Sequence, residues 1–384
     1  MKVTVCGRWH MGRVFASYAA HLGHQVILYD TDLGSEIPDE PGLLPVVMTS
    51  DPATAMHNTS VLWIAWDTPI LSDDRGDVDW VMSQARALYP FVHDDLVLVS
   101  SQIPVGTTER MRDECGSGRW FYVPENLRLG NAVQSFAEQK EIIIGGHDDL
   151  SNAWNFFKDK DFIPMSIRSA EMSKHAINAF LATQIALTNE LAWLAEDVGA
   201  DARSVEKALR AEPRIGRKAY VRAGASFAGG TLGRDLQYLV QMHAAQCGNI
   251  KSCLPERVLK SNDTHQNWIE MQLDFADSVA IWGISYKGST NTKRASRTEQ
   301  YIKHLFNKGV DVRAYEHGQP LENMLATLDG ADALLLGNEH PSYREVAEEE
   351  FLTRMRHPVV VDPGSYLHFS EKIDHRCVGM PRGA

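Results

Sequence analysis

The sequence predicts an α/β fold in three parts, with a doubly wound sheet region at each end and a helical region between them. Three observations carry this. The first third of the chain and the region after Ser278 both alternate short apolar runs with helix-period stretches, the pattern of parallel strands covered by helices. Residues 169–199 keep their apolar positions at helical spacing throughout. A chain of 384 residues is also too long for one ordinary core.

In order, residues 3–6, 25–29, 60–65, 96–100 and 141–144 read as strands, and 11–22 as the first crossover helix, closed by Gly23. The 169–199 stretch reads as one long helix, intact or interrupted, that links domains or packs against a partner subunit. Shorter helical patterns follow, interrupted by the loop AGASFAGGTLGRD. SVAIWGISYKG, VDVRAYE, ADALLLGNE and HPVVVDPG then supply four more strand candidates. The expected division is 1–168, 169–262 and 263–384.

Composition narrows the function. A net charge of -12 argues against a nucleic-acid or anionic-membrane partner, so an anionic ligand needs locally placed positive groups. No stretch has the length and apolarity of a membrane helix. MKVTVCG enters a strand at once, leaving no room for a signal peptide, so the cytoplasm is the expected compartment. Five cysteines at unrelated spacings fit neither a disulfide framework nor a zinc site, and no metal is expected. Cys6 reads as a small core residue.

A dinucleotide site needs a tight strand-to-helix turn whose backbone amides meet a pyrophosphate at the helix N-terminus. The turn Gly7-Arg8-Trp9-His10-Met11-Gly12 has that position. Its outer glycines match GxGxxG spacing, and Trp9 replaces the middle glycine, which weakens the motif taken alone. Trp9 either lies over the cofactor or fills a surface groove. Asp30 ends the second strand, where a carboxylate accepts from ribose hydroxyls and repels a 2′-phosphate, favouring NAD; the plainer alternative is a strand-end turn residue.

Several further segments, in order, resemble the UDP-glucose/GDP-mannose dehydrogenase family over nearly the whole chain. They are DTP at Asp67 to Pro69, SSQIPVGTT from Ser100, PENLRLG from Pro124, SAEMSKHAINAFLA, PRIG from Pro213, FAGGTLGRD and SYKGSTNTKRAS. The resemblance implies two Rossmann-like domains joined by a long helix that forms a dimer core, with NAD on the first domain and the nucleotide sugar on the last. It implies Thr68, Pro69 and Arg294 as NAD contacts beside Gly7, Trp9, His10, Met11, Gly12 and Asp30. It implies Lys174 and Asn178, one helical turn apart, as binders of a developing oxyanion. Asp235 matches an aspartate that orients the water removing the alcohol proton, and Glu125 matches the glutamate of PEFLREG. Unaided by the motifs, Lys174 would read as a solvated lysine and Asp235 as a helix-capping acid. Leu127, Arg214, Phe227, Gly229, Gly230, Tyr286 and Lys287 are the implied substrate contacts. Gly224 gives the same loop freedom to pack closely.

The family carries an alcohol through an aldehyde to an acid, and the second oxidation runs through a cysteine thiohemiacetal and thioester. Here Thr231 stands at that cysteine, Leu129 at the second glutamate of PEFLREG, and Gln102 at the threonine of STVPVGTT. A hydroxyl is a poor nucleophile without a strong base. Cys247 lies twelve residues beyond Asp235 on a predicted helix, badly placed to substitute. Gly233 and Arg234 stand at the proline and lysine of FGGSCFPKD. The expectation is an NAD-dependent, homodimeric dehydrogenase of a nucleotide-linked sugar that stops at the carbonyl. The alternatives are an enzyme that retains NAD and oxidises transiently during epimerisation or elimination, and a silent protein that only binds both ligands.

Overall fold

The computed structural model describes residues 1–34, 37, 40–71, 75–127, 130–146, 149–247, 252–288, 291–293 and 296–380, without the side chains of Gly229 and Cys247. The chain forms two compact units, Met1–Ile177 and Asn178–Ala384.

The first unit is built on an eight-stranded sheet in the order β3-β2-β1-β4-β5-β6-β7-β8. The strands are β1 (Lys2–Cys6), β2 (Gln25–Tyr29), β3 (Val47–Thr49), β4 (Val61–Ile64), β5 (Leu96–Val99), β6 (Arg119–Tyr122), β7 (Glu141–Gly145) and β8 (Asp161–Met165). Pairing is parallel except between β6 and β7, which meet through one antiparallel pair, Tyr122 and Gly145. The continuous apolar runs of β4 and β5 are buried on both faces, as central parallel strands require. The helices α1 (Met11–His21), α2 (Pro52–Met56), α3 (Val78–Arg86), α4 (Thr107–Cys115), α5 (Ala132–Glu138) and α6 (Ser151–Phe156) connect them. One face packs Phe15, Trp63, Phe136 and Phe156 under α1, α5 and α6. The other packs Met82, Met111 and Trp120 under α3 and α4. Two covered faces make the sheet doubly wound.

From Ile167 to Val198 the chain is one unbroken helix, α7, which resolves the question of an interruption. Its first turns belong to the first unit. Glu171 accepts the backbone N–H groups of Gly106 and Thr108, capping α4 from outside, and burial pushes its carboxyl up while those bonds pull it down. The rest of α7 belongs to the second unit and carries an outward apolar stripe of Phe180, Leu187, Leu191, Leu194 and Val198, with Phe180 and Val198 each at least three-quarters exposed.

The second unit continues with α8 (Ala202–Ala211), a π-helical turn at Gly229–Gly233, α9 (Arg234–Cys247) and α10 (Leu254–Leu273). A five-stranded parallel sheet in the order β10-β9-β11-β12-β13 follows. Its strands are β9 (Ser278–Trp282), β10 (Asp311–Tyr315), β11 (Ala333–Leu336), β12 (Val359–Val361) and β13 (Asp374–Arg376), with α11 (Arg297–Asn307), α12 (Leu321–Ala326) and α13 (Glu348–Arg354) around them. Both sheets begin with the same device. The amide of Gly7 donates to Tyr29 O, and Asp30 accepts from the Arg8 amide; the amide of Gly283 donates to Tyr315 O, and Glu316 accepts from the Ile284 amide. Gly7 and Gly283 both take positive φ, a conformation that favours glycine.

Candidate active site

The turn after β1 is built by steric exclusion. A Cβ on Gly12 would lie 1.7 Å from Gly7 O, and one on Gly7 would lie 2.7 Å from Ala65 O. Both outer positions therefore require glycine, so that α1 can seat directly against the strand it follows. Trp9 is half-buried and meets His10 edge-on at 6.2 Å. Asp30 is buried and accepts from Arg8 N at 2.8 Å and Asp32 N at 3.2 Å; burial raises its carboxyl against the pull of those bonds.

A carboxylate already lies at the head of α1. Asp67 Oδ2 accepts from His10 N at 3.0 Å and Met11 N at 3.4 Å. These amides begin the helix and carry its positive end, so the side chain stands where an anion binds. Beside it, the buried ring nitrogens of His10 have no hydrogen-bond partner among the described residues, and Nδ1 is 3.7 Å from Glu40. Glycines that permit close approach, amides satisfied by a carboxylate and an orphaned imidazole together fit a dinucleotide pyrophosphate. Thr68 is fully buried and donates to Gln102 O at 2.6 Å, which joins the DTP loop to the segment after β5; Pro69 follows in the same loop.

In the first unit, Lys174 and Glu125 come together. The buried Lys174 ammonium donates to the Glu125 carbonyl, lies 3.5 Å from its carboxylate and 3.3 Å from Asn126 Oδ1. Glu125 also accepts the Leu127 amide, fixing the turn of PENLRLG. In the second unit, Asn178 donates its side-chain amide to Asp235, and both are buried. Asp235 lies in the first turn of α9, where a negative charge suits the helix dipole. Lys174 and Asn178 are one turn apart on α7.

Thr231 is half-buried in the π-helical turn that leads into α9. Three residues absent from the sequence-based expectation hold the loop before it. Asn262 accepts from Phe227 N at 2.8 Å and donates to Phe227 O at 3.0 Å. His265 bonds Gly224 O at 2.7 Å, and Asn189 accepts from Gly224 N at 3.0 Å. Asn189 sits on α7, and Asn262 and His265 on α10. A buried asparagine or histidine inside a helix reads as an ordinary polar interruption in the sequence. Its partner becomes visible only in the fold.

Tyr286 and Lys287 follow β9, with the Lys287 ammonium 5.2 Å from the Tyr286 ring, and burial pushes the Tyr286 phenol up. Arg214 is exposed and pairs with Glu212 at 2.7 Å. Gly229 and Gly230 open the π turn. Arg294 and Leu129 lie outside the described residues, as does the Cys247 side chain.

A doubly wound sheet with this turn and acidic strand end defines a dinucleotide-binding protein. The sequence matches the NAD-binding domain of the UDP-glucose/GDP-mannose dehydrogenase family over residues 45–156, its central domain over 168–264 and its UDP-binding domain over 280–368. The chain belongs to this family. YtcA of Bacillus subtilis is 30% identical across 82% of this chain and 81% of its own length. The UDP-glucose 6-dehydrogenase TuaD of the same organism is 27% identical across 96% and 90%. Among solved structures, a UDP-glucose dehydrogenase from Pyrobaculum islandicum superposes with a TM-score of 0.81 at 25% identity, covering 98% of this chain and 96% of its own. A UDP-D-ManNAc dehydrogenase from Pyrococcus horikoshii shares the fold with a TM-score of 0.85 at 22% identity, covering 99% of each chain. Among the described residues, no helix is long and apolar enough to cross a membrane.

Proposed function

We propose that this dehydrogenase oxidises one alcohol of a nucleotide-linked sugar to an aldehyde or ketone and releases it at that two-electron stage. The observation that carries the reading is Thr231 in the turn before α9, in a chain that retains the Asn178–Asp235 pair and the Lys174–Glu125 pair. The names of the relatives support a uridine-linked sugar as the first substrate to test.

In this reading Asp235, held by Asn178, orients a water that takes the alcohol proton. Lys174 and Asn178 hold the oxygen as negative charge develops on it. Glu125 keeps the ammonium aimed through its carbonyl and carboxylate. NAD, when bound, supplies the acceptor for the hydride leaving the carbinol carbon. The His10 and Met11 amides and the His10 ring hold its pyrophosphate, and Asp30 holds its ribose. Phe227, Gly229, Gly230, Leu127, Tyr286, Lys287 and Arg214 remain the proposed sugar-nucleotide contacts, with Arg294, Thr68 and Pro69 as further NAD contacts. Acid formation needs a nucleophile that adds to the carbonyl and leaves as water attacks. Thr231 offers a hydroxyl there, so the reaction ends at the carbonyl.

The test is to incubate the protein with NAD and a panel of sugar nucleotides, beginning with UDP-glucose, and to trap products with hydroxylamine. The reading expects an oxime of a product two hydrogens lighter than substrate. A uronic acid, or no turnover across the panel, would contradict it. The Thr231→Cys variant is expected to form little acid, because Gln102 and Leu129 remain unsuited to thioester hydrolysis.

A further inference from the structure

The edge of the second sheet brings together three ligand-type side chains that the proposed reaction does not use. β12 and β13 are parallel with Val361 opposite Arg376, so Asp362 comes level with Cys377 at the strand ends. His375 and Cys377 are two residues apart on an extended chain and leave it on the same face. The consequence is a convergence of donor atoms. His375 Nε2 lies 3.2 Å from Asp362 Oδ2 and 3.3 Å from Cys377 Sγ, and all three atoms are within 4.8 Å of one another. Asp362 and Cys377 are buried, and His375 is half-buried with Phe369 edge-on to its ring at 5.1 Å.

The two separations from His375 Nε2 are close to those between ligands of one ion. Bond lengths of about 2.0–2.3 Å at tetrahedral angles place nitrogen, oxygen and sulfur ligands roughly 3.3–3.6 Å apart. The carboxylate is also oriented from behind, since Oδ2 accepts the Leu367 amide at 2.8 Å. Thiolate, imidazole and carboxylate in one set favour a borderline ion such as Zn²⁺ or Co²⁺ over the all-oxygen preference of Mg²⁺ and Ca²⁺.

We infer that Asp362, His375 and Cys377 form a binding site for a zinc-class divalent ion, with a water as fourth ligand. On binding, the Cys377 thiol and the His375 ring, where it is protonated, each give a proton to solvent, leaving a thiolate and a neutral imidazole as ligands. The ion ties β13, an edge strand of three residues, to the end of β12. It acts as a structural clip and takes no part in hydride transfer. Sequence spacing conceals this set, because its members come from two strands separated by a loop.

The test uses the full chain, stripped with a chelator and titrated with CoCl₂. One cobalt per chain is expected, with tetrahedral d–d absorption and a thiolate-to-cobalt charge-transfer band that the Cys377→Ser variant lacks. Zn²⁺ is expected to slow alkylation of Cys377 by iodoacetamide at least tenfold, read by peptide mass spectrometry on the unaltered chain. That second readout decides the matter if the variant does not fold. Absence of the charge-transfer band in the unaltered chain at saturating cobalt, its survival in Cys377→Ser, or an alkylation rate indifferent to Zn²⁺ would each overturn the site.

Discussion

Asp67 bears directly on how tightly NAD binds. Its carboxylate accepts the two amides at the head of α1 that the proposed cofactor site offers to the pyrophosphate. Two like charges about 4 Å apart repel by about 1–4 kcal/mol between the dielectric of water and that of a protein surface. Asp67→Asn keeps an acceptor for the amides and removes the charge. It is therefore expected to lower the Kd for NAD by about tenfold, measured by calorimetry, within that range of repulsion. An unchanged or weaker affinity would show that the carboxylate does not oppose the cofactor. Gly12→Ala forces a Cβ into Gly7 O and is expected to lower the Tm and abolish NAD binding together. The two residues also differ in how far the sequence reveals them. Gly7 and Gly12 are legible because the residue type itself records the steric demand. Asp67 is read only as part of a motif, because its role depends on an approach to α1 across 57 positions of chain.

At the level of elements, the loop before the π turn is suspended from helices on two sides. Asn262 pairs with both backbone groups of Phe227, and its replacement by alanine leaves the buried Phe227 N–H unpaired and its carbonyl with the Arg297 guanidinium as donor. A loss of about 1–3 kcal/mol follows, measured by urea unfolding. A fall in kcat with KM for NAD unchanged is expected alongside it, because the loop carries Thr231 and leads into Asp235. His265 adds a pH dependence. Burial holds its imidazole below the usual range, against the upward pull of its bond to Gly224 O. The unfolded chain takes up a proton near pH 6.5 and the folded one resists it. This contribution is full above that pH and is lost as the pH falls through the lower, folded-state value. His265→Gln is expected to flatten the stability profile in that acid range; an unchanged profile would count against it. Strand legibility follows packing in the same way. The central runs of β4, β5, β9, β11 and β12 are apolar because both faces are covered, so they stand out in the sequence. The edge strands β8 and β13 do not. Asp161–Met165 contains Pro164 and is largely exposed, while Asp374–Arg376 is polar throughout, and an edge position tolerates both.

For the whole molecule, the outward stripe of α7 supports a homodimer. Phe180, Leu187, Leu191, Leu194 and Val198 recur at spacings of 7, 4, 3 and 4, one helical face of exposed apolar side chains. Light scattering is expected to give about twice the chain mass of 42.9 kDa for the unaltered protein and a single chain for Leu187→Lys combined with Leu194→Lys. A monomeric unaltered protein would contradict this. The helical period makes the long helix legible in the sequence, whereas Lys174, Glu125, Asn178 and Asp235 are expected singly from resemblance and acquire their partners only through tertiary packing. In the proposed reaction both pairs serve the first oxidation, and Thr231 stands where the second would begin. The most direct measurement of this asymmetry is the NADH formed per molecule of sugar nucleotide consumed, followed to completion with product mass read in parallel. One NADH and a carbonyl product are expected; two NADH and a carboxylate would contradict the two-electron stop.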